Sequence, residues 1–218
     1  MFKKELAVRH STILFTYLFV VWGLYRMLFK LPVELEELLI KPLVWLIPLF
    51  IFLKKEKLSL SSLGITSKNL FPAIYLSLSL GILFAIEGVL VNLVKYKAID
   101  FSANLGENSF LIALLISFTT AISEEITFRG YIFNRFWYVL GSEWIANLIS
   151  SFGWALIHIP IAVFWWELSL VGVLGYLVLT MIFGIGSAFV FARTKNVFAS
   201  FFSIYFGSGR LSFFVSIR

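Results

Sequence analysis

Cysteine is absent from the 218 residues, and histidine occurs only twice, at His10 and His158. The first absence excludes disulfides, thiolate metal ligands and a cysteine nucleophile. The second leaves little imidazole for holding a metal or moving a proton. Charge is scarce as well: Asp, Glu, Lys and Arg make up 14% of the chain, against about 25% in an average soluble domain. No internal repeat and no low-complexity linker occurs, so an inverted-repeat transporter has no support in the pattern.

What fills the chain is hydrophobic side chain, 60% of residues, with 18% aromatic and a mean hydropathy of +0.95. The apolar runs reach the ~20 residues needed to cross a hydrocarbon core of about 30 Å. This predicts an all-α, polytopic transmembrane helical bundle of about seven spans. They are expected near 11–29, 38–53, 71–94, 109–136, 144–166, 168–192 and from 197 onward. An N-terminal transmembrane hairpin would occupy 1–57 and a core 58–218, in one bundle.

In the hairpin, Trp22 and Tyr25 read as interface anchors and Arg26 and Lys30 as snorkelling side chains. Glu34, Glu36 and Glu37 read as a short acidic turn. Pro42 and Pro48 are expected to shorten or kink the second span. The mixed stretch 58–70 reads as an amphipathic interfacial segment or a loop.

A net charge of +6 raises the question of nucleic acid. The basic residues, however, sit in short clusters between apolar runs, where they act as topology signals. The partner is therefore the lipid bilayer and not nucleic acid. The cluster bias places the N-terminus on the cytoplasmic side of a multi-pass membrane protein. No small-residue cleavage site follows the first apolar run, so that run reads as a retained helix.

Charged side chains inside an apolar run cost about 2.5–3.5 kcal/mol each at the centre of a membrane helix. The stretch Ser123-Glu124-Glu125-Ile126-Thr127-Phe128-Arg129-Gly130 concentrates three of them. On a helix Glu125 and Arg129 are i and i+4, acid before base, the favourable order for an ion pair. Glu124 lies about 100° further round and reads as the carboxylate left free for a proton, a metal or a water. The next apolar run supplies Trp154-Ala155-Leu156-Ile157-His158. A short turn at Gly141-Ser142 would bring His158 to the depth of Glu124. A facing Glu/His pair can polarise a water for attack on a carbonyl, the carboxylate taking the proton.

Glu-Glu-x-x-x-Arg followed by aromatic-x-x-x-His resembles the CAAX prenyl protease/bacteriocin-processing (CPBP) family of intramembrane endopeptidases. Phe128-Arg129-Gly130-Tyr131 and the stretch from Ser151 to Pro160 extend the two motifs. Leu63-Gly64-Ile65 and Arg193-Thr194-Lys195-Asn196 resemble flanking segments of the family core. The resemblance implies Glu124 and His158 as catalytic residues, with Glu125 and Arg129 in support. Trp154 stands where the family usually has Phe, which reads as a tolerable aromatic exchange.

The third family motif, a His with an Asn four residues on, falls at Ile204 and Ser208, and no histidine follows His158. Catalytic zinc usually has three protein ligands; Glu124 and His158 are the only good candidates here, so the cofactor stays open between a divalent metal such as zinc and none. The implied activity is hydrolysis of peptide bonds in membrane-associated peptide or protein substrates, prenylated CAAX-type substrates among them. The alternative is a catalytically degenerate relative that binds membrane partners or serves as an immunity-type protein. An ion or solute carrier using Glu87 and Glu124 is a third class.

Overall fold

The computed structural model describes residues 3–97 and 110–199, except for the side chains of Phe110 and of most of 84–96. Among the described residues all regular structure is helical, and no strand occurs. Six helical rods result. We number them α1 (Lys4–Leu28), α2 (33–55), α3 (Leu70–Tyr96), α4 (110–140), α5 (Glu143–Trp165) and α6 (Leu170–Thr194). Four of them, over Lys4–Leu28, Leu111–Leu140, Glu143–Trp165 and Leu170–Thr194, are long and apolar enough to cross a membrane. Their number and hydropathy define an integral membrane protein. Of the seven expected spans, the last falls almost wholly outside the described residues, as do Ile204 and Ser208. The Glu87 side chain lies outside them as well.

Each rod turns one stripe inward. In α1 the stripe is Ala7, His10, Ser11, Leu14, Leu18 and Trp22, at the i, i+3, i+4 spacing of a helix face. In α2 it steps by four: Glu37, Lys41, Trp45, Leu49 and Leu53, all buried. The same face therefore carries two charges and three apolar side chains. Proline does not break this rod. A wider π-type turn at Glu36–Ile40 precedes Pro42, and Pro48 lies inside the α-helical part Lys41–Lys55. The charges, and not the prolines, are what separates α2 from a simple apolar span.

Two expectations for the hairpin need correction. Trp22 is buried, stacked on Tyr25 and edge-on to Trp45, so it packs inside the protein instead of anchoring an interface. Arg26 does not snorkel: it is only 3% exposed, because Glu36 and Glu37 hold it from α2. Lys30 does stay exposed, 3.6 Å from Glu167.

The stretch 58–70 is a loop tied to the bundle. It contains a 3-10 turn at Leu60–Leu63 and a left-handed Gly64 at φ 79°. The Gly64 carbonyl accepts from Val197 N at 2.9 Å. Asn196 Nδ2 donates to the carbonyls of Thr66 and Lys68, and Asn134 Nδ2 to that of Ser62. Backbone groups that a membrane helix would satisfy internally are satisfied here by asparagines.

The site-bearing rods α4, α5 and α6 pack closely for stated reasons. Gly141, at φ 68°, ends α4, and the Ser142 hydroxyl caps α5 by accepting from Ile145 N. Asn147 Nδ2 donates to the Ile185 carbonyl across α5 and α6. A Cβ on Gly184 would come within 2.9 Å of Ser151 Cβ and 3.2 Å of Trp154 Cε3. Glycine at 184 thus permits the approach of α6 to the face of α5 that carries Trp154.

Candidate active site

Glu124 and Glu125 close the α-helical part of α4, and a π-type segment Ile126–Phe133 follows at once. Its eight residues are all buried. The two adjacent carboxylates face different neighbours, as the ~100° step between them requires.

Glu125 turns toward α6. Its Oε1 lies 3.0 Å from Arg129 Nη1, and its Oε2 accepts from the Ser187 hydroxyl at 2.7 Å. The i, i+4 ion pair expected from the spacing is present. The Arg129 guanidinium lies over the Trp154 ring, 4.4 Å from its centroid, and Nη2 reaches the Gly184 carbonyl at 3.4 Å. This pair joins α4, α5 and α6.

Glu124 turns toward α2 and α5, and it is not the free carboxylate expected from the sequence. Its Oε1 lies 2.5 Å from Lys41 Nζ, and its Oε2 accepts from the Trp154 indole N–H at 3.1 Å. Lys41 is 83 positions away, so no local spacing rule could have paired them. Trp154 is accordingly more than an aromatic exchange for Phe, since phenylalanine has no N–H to give.

His158 follows directly on the α-helical part of α5. Its Nδ1 is 2.7 Å from the Trp154 carbonyl oxygen. A carbonyl only accepts, so Nδ1 carries the proton, and in the neutral ring Nε2 presents the lone pair. The ring stands edge-on to Trp154 at 4.9 Å and to Tyr176 at 6.0 Å. His158 meets Glu124 at Trp154. Both are held through Trp154, one by its side chain and one by its backbone.

Behind Glu124 runs a buried chain of charge. Lys41 Nζ is also 3.1 Å from Glu37 Oε2, which accepts from the Thr120 hydroxyl at 2.7 Å. Glu37 Oε1 meets Arg26 Nη2 at 2.7 Å, and Arg26 Nη1 meets Glu36 Oε1 at 2.6 Å. The order Glu36, Arg26, Glu37, Lys41, Glu124 alternates in sign. Arg26 lies 4.7 Å from the Trp22 ring and Lys41 5.3 Å from the Trp45 ring. Sequence reasoning placed these lysine and arginine side chains among the topology signals and missed their part in the site. The available signal was a lysine four residues after a glutamate at the head of an apolar run.

The second histidine belongs to a separate cluster. Glu56 Oε1 accepts from the Tyr131 hydroxyl at 2.5 Å and lies 3.1 Å from His10 Nδ1. Glu56 Oε2 is 2.9 Å from Arg135 Nη2.

The donor set at Glu124, among the described residues, does not suit a resident divalent metal. Among the described residues no group of three His, Cys, Asp or Glu could hold one. Each oxygen of Glu124 already has one partner, an ammonium on one and an indole N–H on the other. A metal there would have to displace the ammonium and sit beside a donor hydrogen.

A family model described as Rce1-like, type II CAAX prenyl endopeptidase Rce1-like, matches residues 106–203. The match spans both motifs, from Glu124 to His158, and the CPBP resemblance is borne out over that segment. By its description this is a family of endopeptidases, hence hydrolases. No curated protein and no solved structure matches the chain.

Proposed function

We propose that this protein is an intramembrane endopeptidase in which Glu124 and His158 activate water, with membrane-associated proteins, prenylated CAAX-type chains among them, as substrates. The observation that carries the reading is the shared hold of Trp154 on both groups, by its indole N–H on Glu124 and by its carbonyl on His158, inside the matched segment. A water there donates one hydrogen to His158 Nε2 and the other to Glu124. Its oxygen adds to the scissile carbonyl carbon while Glu124 takes the proton. The C–N bond then breaks, and Glu124 returns that proton to the leaving amine. Glu125 and Arg129 fix the helix junction that aims Glu124.

The orientation that fits has the N-terminus in the cytoplasm. Arg26, Lys41, Arg129 and Arg135 are buried and do not act on the lipid surface. What remains as topology signal is mainly Lys3, Lys4, Arg9, Lys54, Lys55 and Lys57 on one side.

The test is cleavage of a mixed pool of prenylated and unprenylated peptides by the full-length protein in bicelles, read by mass spectrometry. Cuts that disappear in both Glu124→Gln and His158→Ala support the peptidase. Cuts unchanged by either substitution, or none at all, sink it. The second reading, a non-catalytic membrane partner-binding or immunity-type protein, is favoured by one observation: Lys41 already neutralises the carboxylate that would act as base.

A further inference from the structure

We infer that the Glu124/His158 site is entered from the end of the bundle where α1 turns into α2 and α5 into α6. That end is opposite Lys54 and Lys55, and the segment cut is one presented at its face. The inference deepens the peptidase reading and rests on it for the substrate alone. The direction of entry stands on the geometry of the described residues.

Three observations carry it. The first is depth. His158 lies seven residues before Trp165, where α5 ends. Lys41, in contact with Glu124, lies eight residues after the start of α2 at Val33. Tyr176, which faces His158, lies six residues after Leu170 at the start of α6. At 1.5 Å per residue all three sit about 9–12 Å from the same end. The other end of α5, at Glu143, is about 22 Å from His158 by the same rise.

The second is that the far side is filled. The eight residues Ile126–Phe133 that follow Glu125 are all buried. Beyond them Glu56 is held by Arg135, Tyr131 and His10. A chain reaching Glu124 from there would have to part a buried ion pair.

The third is that cover thins the other way. Trp154, Ala155 and Ile157 are buried, whereas His158 and residues 159–161 are partly exposed. Tyr176 stands edge-on to His158 at 6.0 Å and to Trp166 at 5.1 Å. Aromatic rings thus lead from His158 to the turn at Glu167, whose exposed carboxylate faces Lys30 at 3.6 Å. Rings with an apolar body and a polar tip suit a boundary that is apolar on one side and wet on the other. With the N-terminus in the cytoplasm, this is the extracytoplasmic face. The substrate is then a membrane-associated chain whose cut segment lies within about 12 Å of that surface.

The absence of cysteine makes single-cysteine labelling of the full-length protein free of background. Lys30→Cys and Lys54→Cys mark the two faces of proteoliposomes holding the protein in one orientation. Ile161→Cys reports the way in, three residues beyond His158, and Ile132→Cys reports the filled layer. A membrane-impermeant maleimide is applied to each face in turn. The inference expects Ile161→Cys to label only from the face that labels Lys30→Cys, and Ile132→Cys to label from neither.

Labelling of Ile161→Cys or Ile132→Cys from the Lys54 face overturns it. So does a folded Ile161→Cys protein that labels from neither face. Should Ile161→Cys not fold, Tyr176→Cys takes its place with the same outcomes. A water-soluble peptide cut when added at the Lys30 face and spared at the Lys54 face supports the inference, and the reverse overturns it. The labelling needs no substrate. Failure of the peptidase reading would therefore show as absent cleavage from both faces with this labelling pattern intact.

Discussion

Trp154 and Glu124 meet through an indole N–H and a carboxylate oxygen 3.1 Å apart, and the same tryptophan's carbonyl accepts from His158 at 2.7 Å. One residue of α5 thereby sets the direction of both groups proposed to activate water. Trp154→Phe keeps a ring for packing and removes the N–H. A hydrogen bond to a charged group contributes about 1.5–3 kcal/mol. The expected result is a kcat lowered by about tenfold or more, with a smaller change in KM. Unaltered steady-state kinetics of Trp154→Phe in bicelles would count against an orienting role.

Arg26 spans two carboxylates with two nitrogens, Nη1 to Glu36 and Nη2 to Glu37. All three side chains are buried. Arg26→Met removes the cation that contacts Glu36 and leaves Glu37 with Lys41, and should destabilise the protein by about 3–5 kcal/mol. Arg26→Lys should recover only part of this, because a point charge cannot reproduce the fork. Thermal unfolding of the three proteins in the same bicelles gives the comparison.

Two glycines of α6 should respond oppositely to alanine. At Gly184 the new Cβ meets Ser151 Cβ at 2.9 Å, so helix separation or strain of about 1–3 kcal/mol is expected. The site lies next to that contact, and activity should fall with stability. At Gly175 nothing lies within 4 Å, and alanine should be neutral or stabilise by up to about 1 kcal/mol. Equal melting temperatures for the two variants would contradict the packing described.

Glu56 and Glu143 offer a matched test of buried against exposed pairing. Glu56→Gln strips the carboxylate from Arg135, Tyr131 and His10 and should cost about 3–5 kcal/mol. Glu143→Gln weakens a pair with Arg193, whose side chain is 43% exposed, and should cost about 0–1 kcal/mol. Denaturation of both variants reads the difference directly.

The sequence by itself determined the helical membrane class, because apolar runs of that length can satisfy their backbone in lipid only as helices. It also determined the Glu125–Arg129 pair, since i, i+4 spacing places both on one helix face whatever surrounds them. The divergence of Glu124 from Glu125 follows from the same geometry. The motif pattern from Glu124 to His158 sufficed for the family resemblance.

Only the tertiary structure decided who answers Glu124. Lys41 and Glu124 are 83 residues apart, and a pairing that depends on how two rods cross leaves no local period in the chain. The inward turn of Arg26 and Lys41 was hidden for the same reason: a cation in an apolar run looks alike whether it faces headgroups or a buried carboxylate. The distinction belongs to the neighbour. So does the part played by Trp154, whose N–H matters only because folding put an acceptor within its reach.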